Sequence, residues 1–342
     1  MISRMDEACD HDSEGSAMPG MMPASYGVSE PGVAFDPLDE DGSARWVATG
    51  DATDLPAWLA DAVAEGRIER EERRFDTDVT ERTTRFGRVR TAVVQGAGRL
   101  DDDAFEDAVA RAYDAVLADL ESTHLLRAWN FVPQINDPAS VGDDGLERDR
   151  YMVFNAGRFR AFTDAFGSLE WFPVASGVGH AGDAMVIHLL HGDAEVAPVD
   201  NPRQTPPEAY SRRFGHPTPA FARAGRVRWN EMEGLLVSGT ASVVGEASLH
   251  LDDVEEQIEE TLRNLEVVVD RGWPGAVPAD LEDWLVYLPD PRDEEIVREL
   301  VAARWPDARL RIAVRGQRLC RPELQVEIEC AGFRPVADGD TP

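Results

Sequence analysis

Apolar residues recur at three- and four-residue spacing in separate segments of the chain, and this spacing predicts helices with one buried face. The predicted helices span residues 102–117, 146–162, 252–268 and 294–304. Runs of β-branched and aromatic residues predict strands at 85–98, 125–131, 172–178, 184–190, 225–229, 235–244, 284–288, 310–314 and 324–328. We expect the strands at 172–178 and 184–190 to form a hairpin across the glycine-containing segment between them.

The predicted elements form two successive mixed groups, each with a pair of helices, which favours an α+β fold over a doubly wound parallel sheet. The chain has 342 residues, whereas a single core usually stops growing at about 250 to 300 residues. We therefore predict an N-terminal domain at 43–175 and a C-terminal domain at 176–335. Residues 1–42 mix Met, Gly, Pro, Ser and acidic residues without a hydrophobic period, which is typical of a disordered tail.

The charge of the chain excludes several classes of partner. The sequence has 65 acidic residues against 34 lysines and arginines, all of them arginine, and a formal charge of -31. Such a surface repels phosphate backbones and anionic lipids, so we expect no nucleic acid and no membrane as a partner. No apolar run reaches the roughly 20 residues of a membrane helix, and the N-terminal residues lack the pattern of a secretory signal. The expected location is the cytoplasm.

The common metal and cofactor motifs are missing from the sequence. Cys9, Cys320 and Cys330 form no CxxC pair and stand at no zinc-finger spacing from histidine. His188 and His191 flank an apolar pair at the end of a predicted strand, where an ordinary buried or surface role is more common than metal ligation. The sequence also contains no Walker, HExxH or GxSxG motif. We expect neither a metal nor a cofactor.

An acidic protein that acts on an anion needs a pocket lined by arginine, because guanidinium groups bind carboxylates through paired hydrogen bonds. In the segment 146–160, LERDRYMVFNAGRFR, Tyr151 and Arg158 lie on one face of the predicted helix, and Arg148 precedes them. The Pro- and Arg-rich segment 200–224 adds Arg203 and Tyr210. Each group also fits a solvated surface with ion pairs, so the spacing alone leaves both interpretations open.

A more specific pattern lies at residues 237–265, VSGTASVVGEASLHLDDVEEQIEETLRNL. Its small-residue strand, glycine turn and helix with Gln257, Thr261 and Asn264 resemble the RidA-like (YjgF-like) superfamily. This resemblance implies two RidA-like, chorismate-mutase-like α+β units, each a mixed sheet backed by helices. Within the superfamily, four further segments resemble the chorismatases: RAWNFVPQIN at 127–136, NAGRFRAF at 155–162, NPRQ at 201–204 and CRPELQVEIE at 320–329.

The resemblance implies an enzyme that cleaves chorismate to pyruvate and a hydroxybenzoate without a cofactor. Glu327 matches the catalytic carboxylate of the family. Cys320 stands where the 3-hydroxybenzoate-forming branch has a cysteine, accompanied by a glycine near SGT, for which Gly239 and Gly234 are candidates. The residues that match ligands of the substrate carboxylates are Arg148, Arg158, Arg203 and Tyr210, and Tyr151 joins them on the helix face.

Other interpretations remain open at this stage. Alternation in LQVEIE would direct Val326 and Ile328 inward and leave both glutamates in water. The same fold also suits a RidA-like enamine or imine deaminase, or a non-catalytic protein that binds a small molecule. The sequence leaves the oligomeric state open between a monomer and a homotrimer.

Overall fold

The structure, a computed structural model, describes residues 55–74, 77–121, 125–142, 145–167, 172–229 and 231–336. All of these residues belong to one compact unit of the chain. The predicted disordered tail, residues 1–42, lies outside the described residues. The helices are α1 (Ala57–Glu65), α2 (Asp102–Leu117), α3 (Arg150–Phe166), α4 (Val254–Gly272) and α5 (Glu294–Arg304).

The longer strands form two six-stranded sheets. The strands in the first half of the chain are β1 (Arg67–Arg74), β2 (Thr77–Thr84), β3 (Gly87–Val94), β4 (Leu125–Pro133), β5 (Pro138–Ala139), β6 (Arg148–Asp149), β7 (Val174–His180) and β8 (Met185–His191). The strands that follow are β9 (Glu195–Val199), β10 (Ala224–Trp229), β11 (Met232–Ala241), β12 (Val243–Val244), β13 (Ala247–Ser248), β14 (Asp283–Tyr287), β15 (Arg311–Arg315) and β16 (Glu327–Pro335).

The first sheet has the strand order β1-β2-β3-β8-β4-β7, and α2 and α3 cover one of its faces. Helix α2 begins after Asp101, whose side chain accepts a hydrogen bond from the Ala104 amide and so satisfies a free N–H at the helix start. The predicted apolar stripe of α2 is buried, with Phe105, Val109 and Val116 fully enclosed. The helix at 102–117 is therefore confirmed.

The second sheet has the order β15-β14-β16-β11-β10-β9, and α4 and α5 pack on one of its faces. Val326, Ile328 and Cys330 belong to the core on this helical side. Helix α5 spans the residues predicted for it, and α4 overlaps its predicted range. Two mixed sheets, each backed by a pair of helices, confirm the predicted α+β class.

The two sheets face each other through a shared layer of apolar side chains. This layer combines Trp129 and Phe131 of the first sheet with Leu236 and Leu285 of the second, and Trp58 of α1 closes it. Residues of β16 that alternate with Val326, Ile328 and Cys330 face this layer, so both faces of the strand are buried. A polar side chain on β16 is consequently forced into the interior.

The predicted hairpin at 172–178 and 184–190 is wrong. Strand β4 lies between β7 and β8: it pairs in parallel with β7 and antiparallel with β8. Both strands are largely buried, and β8 pairs with β3 on its other edge. A short glycine-containing connection shows that the chain turns there, but it carries no information about which strand fills the space between.

The passage from the first to the second sheet lies between His191 and Glu195, later than the predicted domain boundary after residue 175. The described residues form one compact unit, within which no domain boundary is resolved. The division into two domains therefore stays a prediction. Among the described helices, none is long and apolar enough to cross a membrane.

Candidate active site

A cavity of about 220 Å³ opens between the second sheet, the start of α3 and the segment 204–223. We call it the outer cavity; a smaller inner recess of about 40 Å³ adjoins it. Both spaces are lined by Tyr151, Phe221, Gly239, Cys320 and Glu327. Sequence-predicted residues from α3, β11 and the segment before β16 thus meet at one place.

Glu327 is the first residue of β16 and is 3% exposed. It lies on the face of the strand opposite Val326 and Ile328, which the alternation predicted, but that face meets the first sheet instead of water. Burial, followed by the charge of Glu329, raises the pKa of Glu327 to about 8. At neutral pH the side chain is therefore mainly a carboxylic acid that can give up a proton.

Gly239 makes room for this carboxyl group. A Cβ atom at Gly239 would lie 1.8 Å from Glu327 Oε1, far inside contact distance. The ladder between β11 and β16 shifts register between Val237 and Thr240, so Gly239 lies in an irregular part of the strand pair. Gly234, the other candidate glycine, lies instead beside the rings of Trp229 and Phe333 and is absent from the cavity lining.

The thiol of Cys320 lies beside the Glu327 carboxyl. Its Sγ donates a weak hydrogen bond to Glu327 Oε2 over 3.9 Å. Burial and the neighbouring Glu327 raise the pKa of Cys320 to about 12, so the thiol stays protonated and is no nucleophile at neutral pH. The geometry suits a side chain that shapes the surroundings of Glu327.

Arg158 reaches the inner recess from α3. Its Nε donates to the Tyr113 hydroxyl over 3.0 Å, and Nη1 donates to the Ala220 carbonyl. Its Nη2 is buried and has no hydrogen-bond partner among the described residues. The guanidinium also packs over the rings of Tyr113 and Phe162, with 4.8 Å to the Phe162 centroid. A buried cation with one free donor can bind an anionic group of a ligand.

Three further arginines line the outer cavity, Arg213, Arg223 and Arg321, and the sequence analysis did not single them out. Arg223 donates to the Tyr210 hydroxyl over 2.6 Å and to the Thr205 carbonyl over 3.1 Å. Arg321 donates to the Glu246 carbonyl over 2.9 Å and packs 4.0 Å from the Phe214 ring centroid. Their signal was present in the sequence, because Arg321 directly follows Cys320, while Arg213 and Arg223 belong to the Arg-rich segment 200–224.

The two predicted tyrosines, Tyr151 and Tyr210, both line the outer cavity. Tyr151 of α3 packs against Gly177, where a Cβ atom would lie 3.2 Å from its hydroxyl. Burial and the nearby Cys320 and Glu327 raise the pKa of Tyr151, so its hydroxyl remains a neutral donor. Tyr210 accepts a hydrogen bond from Arg223 and packs against Phe214 in a tilted arrangement, with ring centroids 5.1 Å apart.

The structure does not bring Arg148 and Arg203 to the cavity lining. Arg148 donates to Ser140, from Nε to its carbonyl and from Nη2 to its hydroxyl, both over 2.9 Å. Arg203 donates to Asn264 Oδ1 over 2.8 Å and to Glu260 Oε1 over 2.5 Å, which ties it to α4. Their side chains are engaged in holding the fold.

No group of three or more His, Cys, Asp or Glu residues with metal-site geometry occurs in the part of the chain that the structure describes. His188 lies buried with its Nδ1 2.8 Å from the Thr91 hydroxyl, and burial lowers its pKa to about 3. His191 lies 3.2 Å from Glu81 and is equally enclosed. Both histidines therefore occupy the core of the first sheet.

Two curated relatives from Streptomyces hygroscopicus match most of the chain. One, described as 3-hydroxybenzoate synthase, is 32% identical over 251 residues, which are 68% of this chain and 72% of the relative. The other, described as chorismatase, is 30% identical over 255 residues, 71% of this chain and 70% of the relative. The chain belongs to the chorismatase family. The predicted family resemblance is confirmed.

Two further matches to chorismatases cover the first sheet and most of the chain, respectively. The FkbO/Hyg5-like chorismatase N-terminal domain matches residues 66–191, a range that ends with β8, the last strand of the first sheet. A crystal structure of a chorismatase aligns with 78% of this chain and 80% of its own, at 27% identity and a TM-score of 0.64. The family match thus extends across both sheets.

Proposed function

We propose that this protein cleaves chorismate to pyruvate and a hydroxybenzoate, with 3-hydroxybenzoate as the main product. One observation carries the proposal: a buried carboxylic acid, Glu327, borders both the inner recess, which Arg158 lines, and the outer cavity, which Arg223 and Arg321 line. This combination suits a substrate with two carboxylates and a bond that breaks after proton transfer. Family membership supports the same reaction.

Glu327 acts as the general acid in this scheme. Chorismate carries an enolpyruvyl ether, and a proton added to its methylene carbon leaves a cationic carbon next to the ether oxygen. Glu327 holds its proton at neutral pH because its pKa is about 8, and the carboxylate left after transfer faces the positive charge that develops on the substrate. The acid thus supplies both the proton and the counter-charge.

The arginines bind and orient the dianion. The free Nη2 of Arg158 offers a donor in the inner recess, while Arg223 and Arg321 border the outer cavity, so the two spaces suit the two carboxylates of one substrate. Arg223 is fixed by a carbonyl contact and Arg321 by an aromatic contact, which lowers the entropy lost on binding. Their positive charge offsets the acidity of the protein at large.

In this proposal, Cys320 determines which of the two products forms, 3-hydroxybenzoate or the dihydrodiol. Forming 3-hydroxybenzoate and pyruvate from chorismate consumes no water, whereas forming the dihydrodiol and pyruvate consumes one. Cys320 fills the wall of both spaces beside Glu327 with a neutral thiol. A weakly polar sulfur at this position disfavours an ordered water next to the acid, which supports the route that needs none.

Incubation of the purified protein with chorismate tests the reaction. Chromatography with mass detection is expected to show equal amounts of pyruvate and 3-hydroxybenzoate. Glu327→Gln is expected to keep the fold and lower kcat by about a hundredfold or more, while Glu323→Gln, which alters another carboxyl of the cavity wall, keeps kcat within about threefold. Pyruvate release by the Glu327→Gln variant at the wild-type rate would reject the assignment.

Other outcomes define the competing functions. Activity on a freshly generated imine without pyruvate from chorismate identifies a deaminase, and thermal stabilisation by chorismate without product identifies a binding protein. A cytoplasmic location and a monomeric or homotrimeric state belong to the proposal, and light scattering after size-exclusion chromatography measures the latter.

A further inference from the structure

A buried polar cluster lies directly behind Glu327, between the two sheets. Glu329 follows on the same face of β16 and is 3% exposed. Its carboxylate accepts hydrogen bonds from Arg127 Nη2 over 2.7 Å, from the Ser176 hydroxyl over 2.6 Å and from Trp129 Nε1 over 2.8 Å. Both carboxylate oxygens are thus held by donors of the first sheet.

Ser176 connects this cluster to the backbone beside Glu327. Its hydroxyl oxygen accepts hydrogen bonds from the Gly239 amide over 2.9 Å and from Arg127 over 2.6 Å while donating to Glu329. Gly239 lies in the irregular part of the β11–β16 ladder, which leaves its N–H to Ser176. The carboxyl of Glu327 lies directly against this glycine, so the serine fixes the surface on which the acid rests.

Stability alone gives little reason for this arrangement. A buried ion pair such as Arg127–Glu329 loses hydration on both sides, and apolar side chains of similar volume are often at least as stabilising. The surroundings here are the apolar layer between the sheets. The placement of Glu329 relative to Glu327 is more informative, since residues two apart on a strand lie about 7 Å from each other.

Several charged and titratable groups face Glu327. The anion Glu329 lies on its own strand, and its charge makes ionisation of Glu327 less favourable. Arg127, Arg223 and Arg321 act in the opposite sense, and Arg158 shares the inner recess. The neutral groups near Glu327 are Cys320, Tyr151 and Tyr287, the last of which lies opposite it on β14. The other titratable and charged residues that line the outer cavity are Asp149, Tyr210, Arg213 and Glu323.

We propose that Ser176 and Glu329, together with Arg127, are positioning residues for the reaction of Glu327. Glu329 places a hydrogen-bonded carboxylate two residues from Glu327 on the same buried face, which adds to the effect of burial against ionisation of Glu327, and Ser176 holds the Gly239 backbone in contact with the Glu327 carboxyl. This inference rests on the proposed function, because it assigns the cluster a part in that reaction. The cluster acts through Glu327, since Arg127 and Glu329 are absent from the lining of both spaces and Ser176 borders only the inner recess.

The first test is the pH profile of kcat/KM in Glu329→Gln. This change removes the anion and leaves Arg127 unmatched, and both effects favour the ionised form of Glu327. The alkaline limb of the profile is expected to move to lower pH by about one unit or more, with activity restored to within about tenfold of wild type at the acidic end. A merely structural role would lower the melting temperature and leave the limb in place, which would overturn the proposal.

The second test separates positioning from charge. Ser176→Ala is expected to lower kcat by about tenfold or more with little change in KM, since the Gly239 amide loses its anchor. Ser176→Thr keeps the hydroxyl and is expected to restore most of kcat. A folded Ser176→Ala protein with wild-type kcat overturns the role of the serine even if Glu329→Gln does not fold.

A direct titration makes the result independent of the proposed function. The δ-carboxyl carbon of Glu327 is followed by NMR in protein labelled with ¹³C-glutamate and assigned with Glu327→Gln. Its midpoint is expected to lie at lower pH in Glu329→Gln than in wild type, and an equal midpoint overturns the proposal. If the wild-type protein releases no pyruvate from chorismate, the proposed function fails, while this titration still decides whether Glu329 governs Glu327.

Discussion

Replacing Glu327 by glutamine gives a side chain that is neutral at every pH. Because Glu327 is buried, this replacement changes how the free energy of unfolding depends on pH. The pKa of Glu327 rises from 4.5 to about 8 in the folded protein. Between these values the unfolded chain releases its proton and the folded protein keeps it, so the free energy of unfolding falls as the pH rises. At about 1.4 kcal/mol for each pH unit, this loss reaches roughly 3 kcal/mol by pH 7 and about 5 kcal/mol above pH 8.

The glutamine variant escapes this loss because it has no proton to release. Urea unfolding, followed through the fluorescence of the 8 tryptophans, gives the free energy of unfolding of both proteins from pH 5 to pH 8.5. We expect the variant to gain several kcal/mol relative to wild type across that interval, while Glu323→Gln gains little. A difference between variant and wild type that stays constant with pH would refute the buried, neutral carboxyl and the general-acid role built on it.

Four further changes test the site. Gly239→Ala forces the Glu327 carboxyl away from a contact of 1.8 Å, and misplacement on the ångström scale is expected to lower kcat/KM by about a hundredfold. Arg158→Met removes a buried cation with a free donor and is expected to lower kcat/KM about ten- to hundredfold, mainly through KM. Arg203→Ala is expected to leave kcat/KM within about threefold and to cost about 1 kcal/mol of stability, since its bonds run to α4. Cys320→Ala is expected to change the product ratio more than the total release of pyruvate.

Matched controls keep these outcomes interpretable. Gly192→Ala places a methyl group 3.3 Å from Gly87, away from the cavity, and keeps wild-type activity if the effect at Gly239 is local. Arg226→Ala removes an exposed arginine as the counterpart of Arg158→Met. Cys330→Ala removes the thiol that packs on the helical side of β16, so a product change in this variant as well would contradict the role given to Cys320.

The apolar spacing was enough to predict α2, α4 and α5 and most of α3, but α1 was not predicted. Helix α2 matches its prediction because an aspartate cap and an apolar stripe are local signals. Strands β1 and β2 were not predicted, since RIEREERR and TDVTERTT contain little apolar alternation. Strand β1 is stabilised by pairing with β2 and β2 by pairing with β3, and such pairing leaves no trace in the apolar pattern of the strand itself.

The sequence also predicted Glu327 and Cys320 as candidate site residues, through a family resemblance that the relatives confirm. It did not predict which side chains surround them. Alternation in LQVEIE separated Val326 and Ile328 from the glutamates correctly, yet it predicted water on the glutamate side. Only the packing of the first sheet against that face buries Glu327 and Glu329 and thereby raises the pKa of Glu327. Whether Arg158 or Arg203 reaches the cavity was likewise decided by tertiary contacts, because an arginine side chain is long enough to serve either a pocket or a neighbouring helix, and spacing along the chain does not distinguish the two.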